Sequence, residues 1–492
     1  MQVPFGEWLP DQPEHLNPGA NVATNVYYAL NSYKRFPSLV NYSSNNMGAD
    51  SRGAGSFRDN SGNVYNFVAN NTNIYQLDGG SFTSRKSSLT GGNTDFWTFT
   101  QFGNYVIASN GVDLPQYYLM GTSTNFANLS AINTAGTTPN FRVSGVIRDF
   151  LVTGNQSSNQ NRIQWSGIND IGVWEGKQAD LQDLPGSGGE IVHITSGEIG
   201  YVFRQNQIIR MDYVGGATIF RLSVISPNRG AVYGRTVCQD NRRVFFYADD
   251  GFFEINGDNV ISIGAEKVNR FFDANVNKAY TDRICAAVDP FNQLALWLYP
   301  SVNNTSNTTG ICDRILIYNY ATKKWSLAEA NASTIFSQFV GAYTVELMDI
   351  ISQNLDAINI ALDTDFWSGG QLFLGGIDSD YKAAIFSGTA NEGELETSEV
   401  ELFPGFRSSI QSVRPIVDAE ATVTIKTRDR LADSVTSSSE ISMNDTGVNP
   451  VRQSGRYVKV NVKTPSGVAW NHAQGIDLIA SRSGLRWQIK QI

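Results

Sequence analysis

Between residues 62 and 390 the chain repeats one pattern: a short apolar or aromatic run, an Asn/Asp/Gly turn, and a second such run, the signature of a β-hairpin. Val64–Val68 with Ile74–Leu77, Tyr105–Ala108 with Gln116–Leu119, and Phe150–Thr153 with Arg162–Ser166 are the first three copies. Gly200–Phe203 with Ile208–Met211, Val244–Tyr247 with Phe252–Ile255, Leu294–Tyr299 with Arg314–Tyr320, and Gly370–Leu374 with Lys382–Phe386 complete seven. The first strands begin at 64, 105, 150, 201, 244 and 294, in steps of 41, 45, 51, 43 and 50. Steps of that size with two or more strands each match the blades of a β-propeller, whose radial closure leaves only short sheet edges. The next step, from 294 to 370, is 76 residues, so an insertion is expected near 340–366. There Leu347, Ile351, Leu355, Ile358 and Leu362 recur near helical spacing, while Ile350-Ile351 and Ile358-Asn359-Ile360 read equally well as strands.

The ends follow other rules. Residues 1–60 are punctuated by Pro10-Asp11, Asn17-Pro18-Gly19 and Ser43-Ser44-Asn45-Asn46 and read as an extended arm. Phe5, Trp8 and Leu9 are too apolar for a solvated tail, which makes them the candidate partner-interface residues, lying on this chain or a neighbour. From Thr389 to Gly393 the composition shifts, and residues 391–492 read as a small C-terminal β-domain. Val423-Thr424-Ile425-Lys426 and Val458–Val462 alternate strictly, as in a sheet with one wet face. The expected architecture is mainly β: an N-terminal arm (1–60), a β-propeller-like body of six or seven blades (61–390) and a C-terminal β-domain (391–492). An open sandwich or several small β-domains is the alternative, and neither a WD dipeptide pattern nor kelch glycine pairs name the repeat.

Composition narrows the function. Of 492 residues only 17% are charged, against 41% hydrophobic and 11% aromatic, which is a globular balance. A net charge of −9 without a basic run argues against sequence-independent nucleic-acid binding, which needs clustered Lys and Arg. Cys238, Cys285 and Cys312 with His15, His193 and His472 match no disulfide framework or metal spacing, so buried thiols are expected. No signal peptide and no membrane anchor are expected, because no stretch approaches the roughly 18 apolar residues of a bilayer span.

No catalytic template fits. Gly172–Gln178 has three residues between its glycines and Gln where a phosphate loop needs Ser or Thr; Gly186–Glu190 lacks dinucleotide spacing. None of the three histidines neighbours a Gly-x-Ser-x-Gly elbow. Two carboxylates in a propeller funnel could still cleave a glycan, but the Asp-box of sialidase propellers is absent, and Asp249-Asp250-Gly251 reads as a hairpin turn. The tryptophans, among them Trp97, Trp165, Trp297 and Trp325, are expected mostly in blade cores. The chain reads as a non-enzyme without cofactor.

Two stretches resemble a known family. Leu9–Pro13, Asn17-Pro18-Gly19 and Asn25-Val26 through Phe36-Pro37-Ser38-Leu39 resemble the opening of tail proteins of short-tailed bacteriophages. Leu362-Asp363-Thr364, Phe366–Gly370, Phe386-Ser387-Gly388, Leu395–Glu399, Val413-Arg414-Pro415, Arg452–Tyr457, Trp470–Asp477 and Ser483–Arg486 are similar to the same family. It is that of the tail nozzle or hub, also described as packaged-DNA stabilisation proteins. The resemblance implies a virion protein made in the host cytoplasm, six copies around a channel, and docking on the adaptor ring below the portal. It also implies contact with a fibre, spike or needle, and a lumen that retains double-stranded DNA until ejection without reading its sequence. Six chains at −9 carry −54, and an acidic lumen lets DNA slide. A receptor-binding or glycan-cleaving tail propeller is the runner-up.

Overall fold

A computed structural model describes residues 1–15, 17–216, 218–241, 243–304, 310–339 and 372–483. The body is a seven-bladed β-propeller. Five blades are local four-stranded antiparallel sheets: Gly53–Arg58 to Ser81–Lys86, Thr98–Phe102 to Ala127–Asn128, Phe141–Ile147 to Asp180–Asp183, Ile191–Ile194 to Phe220–Ser226, and Cys238–Asp240 to Asn259–Ser262. The sixth runs Cys285–Asp289, Leu294–Tyr299, Cys312–Asn319 and then Lys324–Phe339.

That last strand has 16 residues and serves two blades. Up to Ala332 it is the rim of blade six, paired with Cys312–Asn319; from Ala332 onward it pairs with Leu372–Asp378 as the innermost strand of blade seven. Blade seven continues through Ala383–Ala390 and ends on Pro37–Asn41, a strand from the N-terminal region whose Leu39 faces Phe386 and Val40 faces Ile385. The ring is then sealed against blade one: Ser51 N donates to Ser333 Oγ (3.3 Å), and Phe339 N donates to Ser56 Oγ (2.8 Å).

All seven hairpins read from the sequence are the two middle strands of a blade, the seventh as far as its described residues from Leu372 onward; Gly370 and Gln371 lie outside them. The best covered of these strands are buried on both faces, as the unbroken burial of Leu294–Tyr299 illustrates, and read as continuous apolar runs. Their turns use the expected chemistry. Gly251, at the Asp249-Asp250 turn, has φ +127°, and a Cβ there would lie 1.9 Å from the Asn269 side chain, so only glycine fits.

The expected domain boundaries are corrected. Blade one begins at Gly53, inside the span read as arm, and the first forty residues are woven into both modules. Strands Gln2–Pro4, Val26–Ala29 and Ser32–Arg35 join Arg407–Val417, Asn449–Gly455 and Ala473–Ser483 in one sheet. Ala20–Thr24 joins Gly393–Thr397, Tyr457–Thr464 and Thr422–Arg428 in another. The two sheets form a sandwich, with the alternation of Thr422–Arg428 showing one covered face. This sandwich is not a separate domain, because Thr24 also pairs in parallel with Leu327 on the rim of blade six. One continuous core links Phe252, Trp297 and Trp325 of the propeller with Phe5, Trp8, Val460 and Trp470 of the sandwich. The pattern gave no warning of the short helix Asn269–Asn275 that packs Phe272 into this core. The helix considered at 343–366 lies outside the described residues.

Candidate functional site

The arm residues were expected to face a partner. Phe5 is 0% exposed and Trp8 2% exposed, both inside this chain's own core, which corrects the expectation of a neighbour-facing patch for these two; Leu9 is half-buried. The cause is strand pairing. Gln2 lies opposite Asp477 and Val3 opposite Ile476, which turns the following aromatic residues inward. Trp8 Nε1 donates to Asn21 O (3.1 Å), and the ring meets Phe271 edge-on at 5.0 Å.

Polar contacts fasten the rest of the segment. Lys267 Nζ donates to Glu7 (2.7 Å), and the backbone N–H groups of Arg270 and Phe271 donate to Asp11 (2.9 and 2.7 Å) at the start of the short helix. Lys459 Nζ, 8% exposed, lies between Glu14 (2.9 Å) and Glu396 (3.3 Å), and these carboxylates hold its ammonium above its usual range against the opposing effect of burial. Nearby Arg428 grips the buried Glu399 with two donors, each at 2.6 Å.

The propeller axis carries a cavity of about 520 Å³, within the usual ~300–1,000 Å³ of small-molecule sites. Ala54, Phe99, Val143, His193, Val237, Ala286 and Ile335 place every blade on its wall. Radial geometry explains this: the innermost strand of each blade faces the axis. Phe96 and Trp97, just before the inner strand of blade two, line the cavity together with Arg235. The guanidinium carbon of Arg235 sits 4.2 Å from the Phe96 ring centroid, and that of Arg52 sits 5.8 Å from it. Burial, with Arg283 and Arg235 close by, lowers the Arg52 guanidinium to about 10. Burial likewise pushes the His193 imidazole down to about 4.

A second cleft, of about 700 Å³, separates blades six and seven from the sandwich and gathers Asp313, Glu329, Asp378, Glu392 and Glu394. Its acids are engaged: Arg314 meets Glu329 at 2.6 Å, Lys463 meets Glu392 at 2.7 Å, Ser301 bonds Asp313 and Asn461 bonds Glu394. It is a structural joint. Among the described residues no group of three or more His, Cys, Asp or Glu is placed to hold a metal, and no helix is long and apolar enough to cross a membrane. Cys238, Cys285 and Cys312 are buried, unpaired thiols, pushed up by burial, as expected. Trp165, Trp297 and Trp325 are blade core.

Sequence reasoning missed Arg52 and Arg235, which carry no motif. Their signal is spatial, since one aromatic side chain from a third segment lies against both.

No family model and no curated protein matches this chain. Solved structures with a similar backbone include a chain of the crystal structure of the mitotic checkpoint complex, 11% identical, covering 73% of this chain and 98% of that one at a TM-score of 0.41. The Pan2 WD40 domain of Neurospora crassa is 8% identical over 71% of this chain and 94% of that one, with a TM-score of 0.37. Apo AztD from Citrobacter koseri is 11% identical over 54% and 71%, with a TM-score of 0.29.

Proposed function

We propose that this chain is a structural subunit of a phage tail nozzle. In this reading it forms a ring, six copies around a channel, that docks on the adaptor below the portal, contacts a fibre, spike or needle, and retains packaged double-stranded DNA until ejection. It works in the virion without catalysis, cofactor or membrane anchor.

The observation that supports this reading is a convergence. Leu362-Asp363-Thr364, Phe366–Gly370 and residues 484–486 lie outside the described residues, but described stretches bearing the family resemblance come from opposite ends of the sequence and meet in space. Phe36 packs on Phe386 with ring centroids 5.3 Å apart, Leu39 pairs with Phe386, and Tyr33 pairs with Ala473. Described segments from both ends of the chain therefore belong to one folded unit, as a conserved module of the nozzle family would require.

The test is the mass of the purified protein by light scattering with negative-stain imaging, alone and mixed with a portal–adaptor complex. Six-fold rings, in solution or formed on the adaptor, are expected. A strict monomer that ignores the adaptor overturns the nozzle reading and favours a glycan-binding or glycan-cleaving propeller, for which glycan-array binding is the next measurement.

A further inference from the structure

We propose that the part of the propeller's axial cavity beside Phe96 and Arg235 is a binding site for an oxyanion, a phosphate or carboxylate group carried on a small molecule. The inference is independent of the nozzle reading, because it concerns one chain's own cavity rather than its assembly.

The argument begins with an imbalance of donors and acceptors. Among the residues lining the cavity, two buried side-chain polar atoms have no hydrogen-bond partner, and both are donors: Trp97 Nε1 and Arg235 Nη1. Directly behind, Arg52 Nη1 is a third buried donor without an acceptor. Buried N–H groups left unpaired are rare and costly in native proteins, and two of these three belong to guanidinium groups that share the Phe96 ring, which points to a missing acceptor there.

Charge leads to the same place. Arg52 and Arg283 share the single carboxylate of Asp50, at 3.7 and 3.2 Å. The carboxylates on the wall are occupied, Glu190 by Asn155 and Gln205 and Asp282 by Arg283 at 3.9 Å, and nearby Asp95 meets Arg142 at 3.0 Å. Arg235 has no carboxylate within salt-bridge distance among the described residues; its Nη2 donates to Thr334 Oγ1 at 2.9 Å. A guanidinium held on an aromatic ring, with Nη2 on Thr334 and Nη1 unpaired, keeps a charged donor for an oxyanion oxygen. Phe96, Phe99 and Phe336 supply apolar walls for the remainder of a ligand.

Isothermal titration of the full chain with inorganic phosphate and, separately, with succinate, at fixed ionic strength in chloride, tests the site and separates the two anion classes. One-to-one binding of at least one anion is expected, with succinate preferred if the natural group is a carboxylate. R235Q should weaken it roughly ten- to a hundredfold, as loss of a charge-assisted pair does. W97F, which keeps the wall and removes only the N–H, should weaken it several-fold. R235K, which keeps the charge without the fork, should fall between wild type and R235Q. If R235Q fails to fold, W97F and R235K decide. Absence of binding by the wild type at tens of millimolar of both anions, or equal affinity in wild type and the folded variants, overturns the proposal.

Discussion

Blade two is complete between Thr98 and Asn128, whereas the sandwich sets Gln2 against Asp477 and Ala23 against Leu395. The propeller is thus assembled from neighbours in sequence, and the sandwich from opposite ends of the chain. Loop closure costs more entropy the farther apart the partners lie, so the sandwich needs denser compensation per contact. It has it: large aromatic groups from the first ten residues fill its core, and buried ion pairs fasten its sheets. Blade seven stands between the two cases, closing locally on three strands and distantly on Pro37–Asn41. A ring sealed by its own N-terminal region cannot open at blade seven without pulling on the strands that also build the sandwich.

The sharpest way to break this comparison is at the arm. Trp8→Ala removes a side chain 2% exposed from the core that both modules share, and a loss of about 3–5 kcal/mol is expected. Denaturant unfolding followed by far-UV circular dichroism and tryptophan fluorescence should show both modules losing stability in one shifted transition. Two separate transitions, with the propeller midpoint unchanged, would refute the shared core. A smaller effect belongs to the sandwich alone. Glu399→Gln leaves Arg428 facing a neutral partner in a site where Glu399 is 2% exposed, a cost of about 3 kcal/mol. The double variant Glu399→Gln with Arg428→Met should recover part of that loss, as removing both charges leaves neither uncompensated. A double variant worse than the single one by the full cost of the Arg428 change would show that the two side chains act independently.

The same contrast explains what could be read from the sequence. Val244–Tyr247 and Phe252–Ile255 announce themselves because both runs are dominated by apolar residues and are joined by the tight turn Asp249-Asp250. The rim strand Asp180–Asp183 is exposed along its whole length and carries no apolar pattern at all. The inner strand Gly53–Arg58 is dominated by small and polar residues that line the axis. The blade period was therefore legible, and the limits of each blade were not. Phe5 and Trp8 stand out as apolar residues in a turn-rich segment, but no local pattern says that the strand before them pairs with Ala473–Ser483 of the same chain and turns them into its own core. Arg52, Phe96, Trp97 and Arg235 come from three separate segments, and a set defined only by closure of the ring has no spacing to detect.

The smallest expected effect separates the modules by pH. His193, on the axial wall, is held neutral with a folded pKa of about 4 against 6.5 for a free histidine. Below pH 6.5 the unfolded chain takes up a proton that the folded propeller refuses, so this residue's contribution is fully present above 6.5 and lost as pH falls toward 4. Arg142, Glu190, Arg235 and Asp282 also line the cavity, and the ring is only half-buried there, so screening by water in the cavity trims the loss to about 1–2 kcal/mol. Lys459 in the sandwich has the opposite sign. Its pKa is raised above 10.5, and its contribution is present below that pH and lost as pH rises through the folded value. Urea midpoints of wild type, His193→Gln and Lys459→Met across pH 4 to 11 measure both arms. His193→Gln should flatten the acid side and leave the alkaline side alone, and Lys459→Met the reverse. An acid limb of unchanged steepness in His193→Gln would place the acid sensitivity among the carboxylates of the sandwich instead of the propeller axis.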